Sequence, residues 1–143
     1  MADKILIVVA PYYRHITDMM LAGVQRSLGA MGVDHEVVKV AGAFELPFAV
    51  TMAHEVGGYD GYILLGCVIR GETSHYDIIC NEVARATQNL ATDGGLVIGF
   101  GLLTVENEAQ ALVRADPEQK DKGGEAANAC LMNLAIARRF AQN

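Results

Sequence analysis

The chain has 143 residues, 52% of them hydrophobic and 20% charged, with a net charge of −6. That length suits one domain with a proper core, residues 1–143, and the acidic balance excludes the broad basic face that nucleic acid or an anionic membrane requires. The lean polar coat leaves apolar surface for copies of the same chain to cover. Cys67, Cys80 and Cys130 are odd in number and too widely spaced for a CxxC pair, so neither a disulfide framework nor a zinc knuckle is expected. A reducing cytoplasm fits. No segment is apolar for long enough to span a bilayer and no signal peptide precedes the first strand-like run, so a soluble intracellular protein is expected.

Strand and helix patterns alternate along the chain. Residues 5–9 read as a strand, and residues 16–31 as a helix with Ile16, Met20, Gly23, Val24, Leu28 and Met31 on one face. Residues 36–40 form the next strand, and residues 46–56 a helix opened by Pro47, whose missing N–H costs nothing in a first turn. Residues 62–69 are an almost unbroken apolar run, as expected of a strand buried on both faces. Ile79, Val83, Ala86 and Leu90 then set a helical stripe over residues 76–90. A fourth strand is expected over 96–102, a short helix over 106–114 stopped by Pro117, and a long helix over 124–140 with Ala127, Leu131, Leu134 and Arg138 on one stripe. Strands alternating with helices imply parallel strands and right-handed crossovers, hence an α/β fold: a three-layer α/β/α sandwich around a four-stranded parallel sheet.

In such a sheet the loops after the strands gather on one edge, where ligands bind. The most informative is Arg70-Gly71-Glu72-Thr73-Ser74-His75, which joins the buried strand to its helix. Gly71 permits close backbone approach, Thr73 and Ser74 bring hydroxyls, and the helix start brings unpaired N–H groups, a combination that suits phosphate. His75 falls in the first helical turn, where the dipole favours the neutral imidazole, a candidate proton shuttle. The plainer alternative makes Thr73 or Ser74 an N-cap and His75 a surface residue. Tyr12 can present its ring to a flat heterocycle or simply pack at a strand end. Gly42-Ala43-Phe44-Glu45-Leu46-Pro47 puts a carboxylate at the same edge, suited to hydroxyls or to the following helix dipole. Phe100 lies between Gly99 and Gly101, with core packing as its default role. Arg114, Lys120 and Lys122 cluster in an acidic chain; they are a solvated charge run or the cations of a phosphate site.

Together, residues 42–47, the run Gly66-Cys67-Val68-Ile69-Arg70-Gly71-Glu72-Thr73-Ser74-His75-Tyr76-Asp77, Phe100-Gly101-Leu102-Leu103-Thr104 and Lys122-Gly123-Gly124-Glu125-Ala126-Ala127 closely resemble the lumazine synthases of riboflavin biosynthesis. The likeness covers nearly the whole chain. It implies a flavodoxin-like sheet assembled into homopentamers, or multiples of pentamers, with active sites between subunits. It also implies condensation of 5-amino-6-(D-ribitylamino)uracil with 3,4-dihydroxy-2-butanone 4-phosphate to 6,7-dimethyl-8-ribityllumazine, with no cofactor or metal. By matching positions, the resemblance makes Tyr12 the stacking ring, gives the ribityl chain to Ala43, Phe44 and Glu45, and sets the backbone of Val68 and Ile69 against the pyrimidine. Glu72, through its backbone, and Thr73 would bind phosphate, and His75 would carry protons. Phe100, Arg114 on the phosphate and Lys122 would come from the neighbouring subunit.

Tyr13 departs from the family pattern, standing where many relatives carry asparagine. The first strand also begins with little sequence ahead of it, whereas many relatives have a longer extension that pairs with a neighbour, so a pentamer is expected rather than a sixty-subunit shell. Two other functions fit parts of the pattern. A flavin-binding or storage protein would use Tyr12 and Tyr13 at the ring site; a noncatalytic flavodoxin-like domain would use the phosphate turn alone, leaving Glu45, Phe100, Arg114 and Lys122 unexplained as a group.

Overall fold

Nearly continuous apolar runs in the two central strands, buried on both faces, decide the architecture. A computed structural model describes residues 2–142. Its elements are β1 (Lys4–Val9), α1 (Arg14–Ala30), β2 (Asp34–Lys39), a 3-10 turn (Ala43–Glu45), α2 (Leu46–Val56), β3 (Gly61–Ile69), α3 (His75–Thr92), β4 (Ile98–Val105), α4 (Glu108–Ala115) and α5 (Lys122–Ala141). The four strands are all parallel in the order β2-β1-β3-β4. Ile5, Ile7 and Val9 of β1 and Ile63, Leu65 and Cys67 of β3 point to one side, into a core with α1, α4 and α5. The intervening Leu6, Val8, Tyr62 and Leu64 point the other way and pack with α2, α3 and β4. This is the expected three-layer sandwich.

Five departures from the sequence-based boundaries have local causes. The strand expected over 96–102 instead begins at Ile98, passes through Gly99 and Gly101, and continues to Val105 in register with β3 out to Ile69. A Cβ at Gly99 would collide with the Ala126 carbonyl, and one at Gly101 would press on Leu65 and Ala126. The glycines therefore let α5 lie close on the sheet. Helix α5 starts at Lys122 rather than 124, because the Asp121 side chain accepts the Gly124 N–H at 3.1 Å from a left-handed backbone (φ 46°). Asn107 caps α4 in the same way, accepting from the Gln110 N–H at 2.9 Å. Met31 is the C-cap of α1 and stands in solvent, so it leaves the buried face formed by Ile16, Met20, Gly23, Val24 and Leu28. On α5, Cys130 joins Ala127 and Leu134 in the buried stripe, whereas Arg138 swings out to Asp3 at 2.7 Å.

Each parallel strand delivers its following loop to the same carboxyl edge, and the residues singled out above lie on or near that edge. Among the described residues no helix is long and apolar enough to cross a membrane.

Candidate active site

Three strand ends build one cleft of ≈ 640 Å³. After β1, Tyr12 projects with 77% of its surface exposed, and its ring meets Tyr13 edge-to-face at 4.9 Å and 75°. Tyr13 therefore braces the outer ring, a packing role. After β2, the 3-10 turn brings Ala43, Phe44 and Glu45 to the wall. Gly42 has extended backbone there, and a Cβ on it would come within 3.3 Å of the Glu45 carboxylate, so the small residue leaves that carboxylate room. From β3, Cys67, Val68 and Ile69 form the floor. Burial, with a smaller effect of Glu108, pushes the Cys67 thiol up to about 11, so it is a neutral lining group.

His75 opens α3 and lines the same cleft with Ile78 and Ile79. The turn before it, from Gly71 to Ser74, is exposed throughout. Thr73 Oγ accepts the His75 N–H at 3.3 Å, whereas the Ser74 side chain makes no cap. A Cβ on Gly71 would meet no atom of the chain, so a ligand has free approach to that backbone. Thr73 thus acts as the local cap that the plainer reading foresaw, and it does so without burying the N–H groups of the turn. Glu72 and Thr73 stand beside the cleft rather than in its lining.

Phe100, Arg114 and Lys122 are brought together elsewhere. They line a smaller recess of ≈ 320 Å³ against β4, with Glu125 at its side. Phe100 sits inside β4, within the strand expected over 96–102, paired with Leu64, and is 40% exposed. Arg114 is in the last turn of α4 and donates from Nη1 to the Gln110 carbonyl at 3.0 Å. Lys122 Nζ lies 3.2 Å from the Glu125 carboxylate. Lys120 takes no part in this lining. The two cavities share no lining residue. The larger contains no lysine or arginine, and the smaller contains two of the basic residues the sequence singled out.

The sequence profile of the family described as 6,7-dimethyl-8-ribityllumazine synthase matches residues 2–138. The chain belongs to this lumazine synthase family. It is 53% identical over 137 residues to the 6,7-dimethyl-8-ribityllumazine synthase of Novosphingobium aromaticivorans, covering 96% of this chain and 98% of that one. It is 50% identical to the protein of the same name from Zymomonas mobilis, again over 96% and 98% of the two chains. A relative in Rhizobium meliloti, 6,7-dimethyl-8-ribityllumazine synthase 1, is 47% identical over 95% of this chain and 92% of its own.

Residues of this lumazine synthase chain that the sequence reading overlooked include Ile78, whose position three after His75 puts both on one helix face. Arg70 was also overlooked as a functional group. Its guanidinium pairs with the Glu106 and Asp77 carboxylates at the base of the phosphate turn. Among the described residues no group of three or more His, Cys, Asp and Glu side chains is arranged to hold a metal ion.

Proposed function

We propose that the chain condenses 5-amino-6-(D-ribitylamino)uracil with 3,4-dihydroxy-2-butanone 4-phosphate to give 6,7-dimethyl-8-ribityllumazine, phosphate and water, in sites that two neighbouring copies complete. One observation carries the shared-site reading. The cleft holding Tyr12, Glu45 and His75 has no cation for a dianionic phosphate, while Arg114 and Lys122 line a separate recess with Phe100. Two different patches that meet head to tail generate a ring when the rotation closes, and a homopentamer is the ring we assign.

In this reading Tyr12 stacks on the pyrimidine, the Val68 and Ile69 backbone meets its polar edge, and Ala43, Phe44 and Glu45 take the ribityl hydroxyls. Glu72, through its backbone, and Thr73 receive the phosphate, and the neighbour's Arg114 grips it with charge-assisted hydrogen bonds. The neighbour's Phe100 closes over the ring, and its Lys122 serves the ribityl and phosphate groups.

The amine adds to the ketone, water leaves as the imine forms, phosphate is eliminated, and the ring closes with loss of a second water. Each stage moves protons, which His75 accepts and returns beside the reacting carbons. Holding amine and ketone in register supplies much of the remaining acceleration, and the phosphate is the handle for doing so.

The decisive experiment mixes subunits. His75→Ala and Arg114→Ala proteins are each assayed alone for lumazine fluorescence, then unfolded, mixed in equal amounts and refolded. Random assembly pairs an intact His75 half with an intact Arg114 half in about a quarter of the sites, and activity returns to about that fraction of the unsubstituted protein. No recovery from the mixture, with both proteins refolded as rings, means each site lies within one chain. An unsubstituted protein that binds flavin but forms no lumazine above the spontaneous rate would instead establish the storage reading, for which the Tyr12–Tyr13 pair is the structural support.

A further inference from the structure

At the root of the phosphate turn, Arg70 ties three segments of chain together. Its Nε donates to both oxygens of Glu106, at 3.1 and 3.0 Å. Its two terminal nitrogens reach the two oxygens of Asp77, at 3.4 and 3.3 Å. The guanidinium carbon lies over the Tyr76 ring, 4.2 Å from its centroid, and the Arg70 N–H donates to the Val105 carbonyl at 2.9 Å. Glu106 continues the line: its N–H donates to the Gln110 side chain at 2.8 Å, and the Gln110 carbonyl accepts from Arg114 at 3.0 Å. An unbroken run of contacts thus leads from the turn bearing Thr73 and His75 to the helix bearing Arg114.

An isolated surface ion pair does little, because water screens it and two flexible side chains must be held. Arg70 differs in that each carboxylate offers both oxygens, the guanidinium lies over an aromatic ring, and all three segments are held at once; a planar fork suits those demands. Its charge is also fully used, since one cation faces two carboxylates. Its contacts in the chain are thus to carboxylates and an aromatic ring, although it adjoins the turn that would receive a phosphate.

We infer that Arg70 is a positioning residue rather than a phosphate ligand: it fixes the Gly71–Ser74 turn and His75 against the arm that carries Arg114. This rests on the shared-site reading above and extends it. In a ring, a chain's phosphate turn serves one site and its Arg114 the next, so the clamp makes the two half-sites of a chain a single rigid piece. It also cancels much of the negative charge of Glu106 and Asp77, which would otherwise repel the incoming ester.

The test is Arg70→Lys beside Arg70→Met, with KM measured separately for the two substrates. The lysine keeps the charge but loses the fork and the stack. Both variants are expected to raise KM for the butanone phosphate about tenfold or more, with KM for the pyrimidine and the size of the assembly unchanged. If the methionine variant does not fold, the lysine variant carries the test alone. An Arg70→Lys enzyme with unaltered KM for the phosphate substrate overturns the inference, as does an equal rise for both substrates. Mixed-subunit recovery with an indifferent Arg70→Lys enzyme removes only this inference; an unsubstituted protein that forms no lumazine removes both readings.

Discussion

The cleft around Tyr12 and the recess around Phe100 belong to one chain but offer different chemistry. The cleft is larger, walled by aromatic and aliphatic groups, and its titratable members are Tyr12, Tyr13, Glu45, Cys67 and His75. The recess is smaller and carries Arg114, Lys122 and Glu125 around a single aromatic ring. A flat heterocycle bearing hydroxyls suits the first, and an anion suits the second. The difference teaches that the apolar ring-sized cleft and the basic recess are separate features of one chain, with no lining residue in common. It also separates two kinds of substitution: those that remove charge stabilisation from the recess, and those that loosen packing around the cleft.

Four predictions press on that contrast. The largest effect is expected from the recess: Arg114→Ala should lower kcat/KM about 10³-fold by removing the fixed cation that holds and discharges the phosphate. His75→Ala, in the cleft, should lower it about 10²-fold, since the lost contribution is proton transfer. Steady-state kinetics on both variants checks the ranking, and a larger loss at His75 would make proton transfer rather than phosphate binding the dominant demand. Gly99→Ala tests the scaffold between the cavities. Its Cβ would strike the Ala126 carbonyl, so a loss of about 2 kcal/mol of stability is expected, read as a lower denaturant midpoint. The recess should distort with it, because Ala126 and Phe100 both line that cavity. The smallest effect is Tyr12→Ala, which should cost about 1 kcal/mol of ring stacking and appear as a higher KM for the pyrimidine alone. A Tyr12→Phe enzyme should behave as the parent, which would leave the ring and not the hydroxyl as the active feature.

Much of the cleft could be read from the chain because it is built locally. The apolar run ending at Ile69, the turn through Gly71 and the helix begun by His75 are contiguous, so the strand-turn-helix arrangement follows from periodicity alone. The recess was far less accessible to that reading. Phe100, Arg114 and Lys122 come from three elements, and only the family resemblance had grouped them. The expected strand over 96–102 passed through both glycines but stopped short of the carboxyl end of β4, because Leu103, Thr104 and Val105 are held by pairing with Cys67, Val68 and Ile69 of β3 rather than by a local pattern. The caps at Asn107 and Asp121 had a usable signal, a short polar side chain three residues before Gln110 and Gly124. Glu106 and Asp77 carried none, since their partner Arg70 is 36 residues from one and 7 from the other.

The order of residues alone determined that four parallel strands would alternate with helices, since short apolar runs and helically spaced stripes are local properties of the chain. It also determined that three strand ends would bring an aromatic ring, a carboxylate and a histidine to one edge. Tertiary structure alone decided that the basic residues would face a different cavity from the histidine, and that Arg70 would pair with two carboxylates. Those outcomes depend on where α4 and α5 dock against β4, and docking is set by small residues and long-range ion pairs that no local pattern encodes.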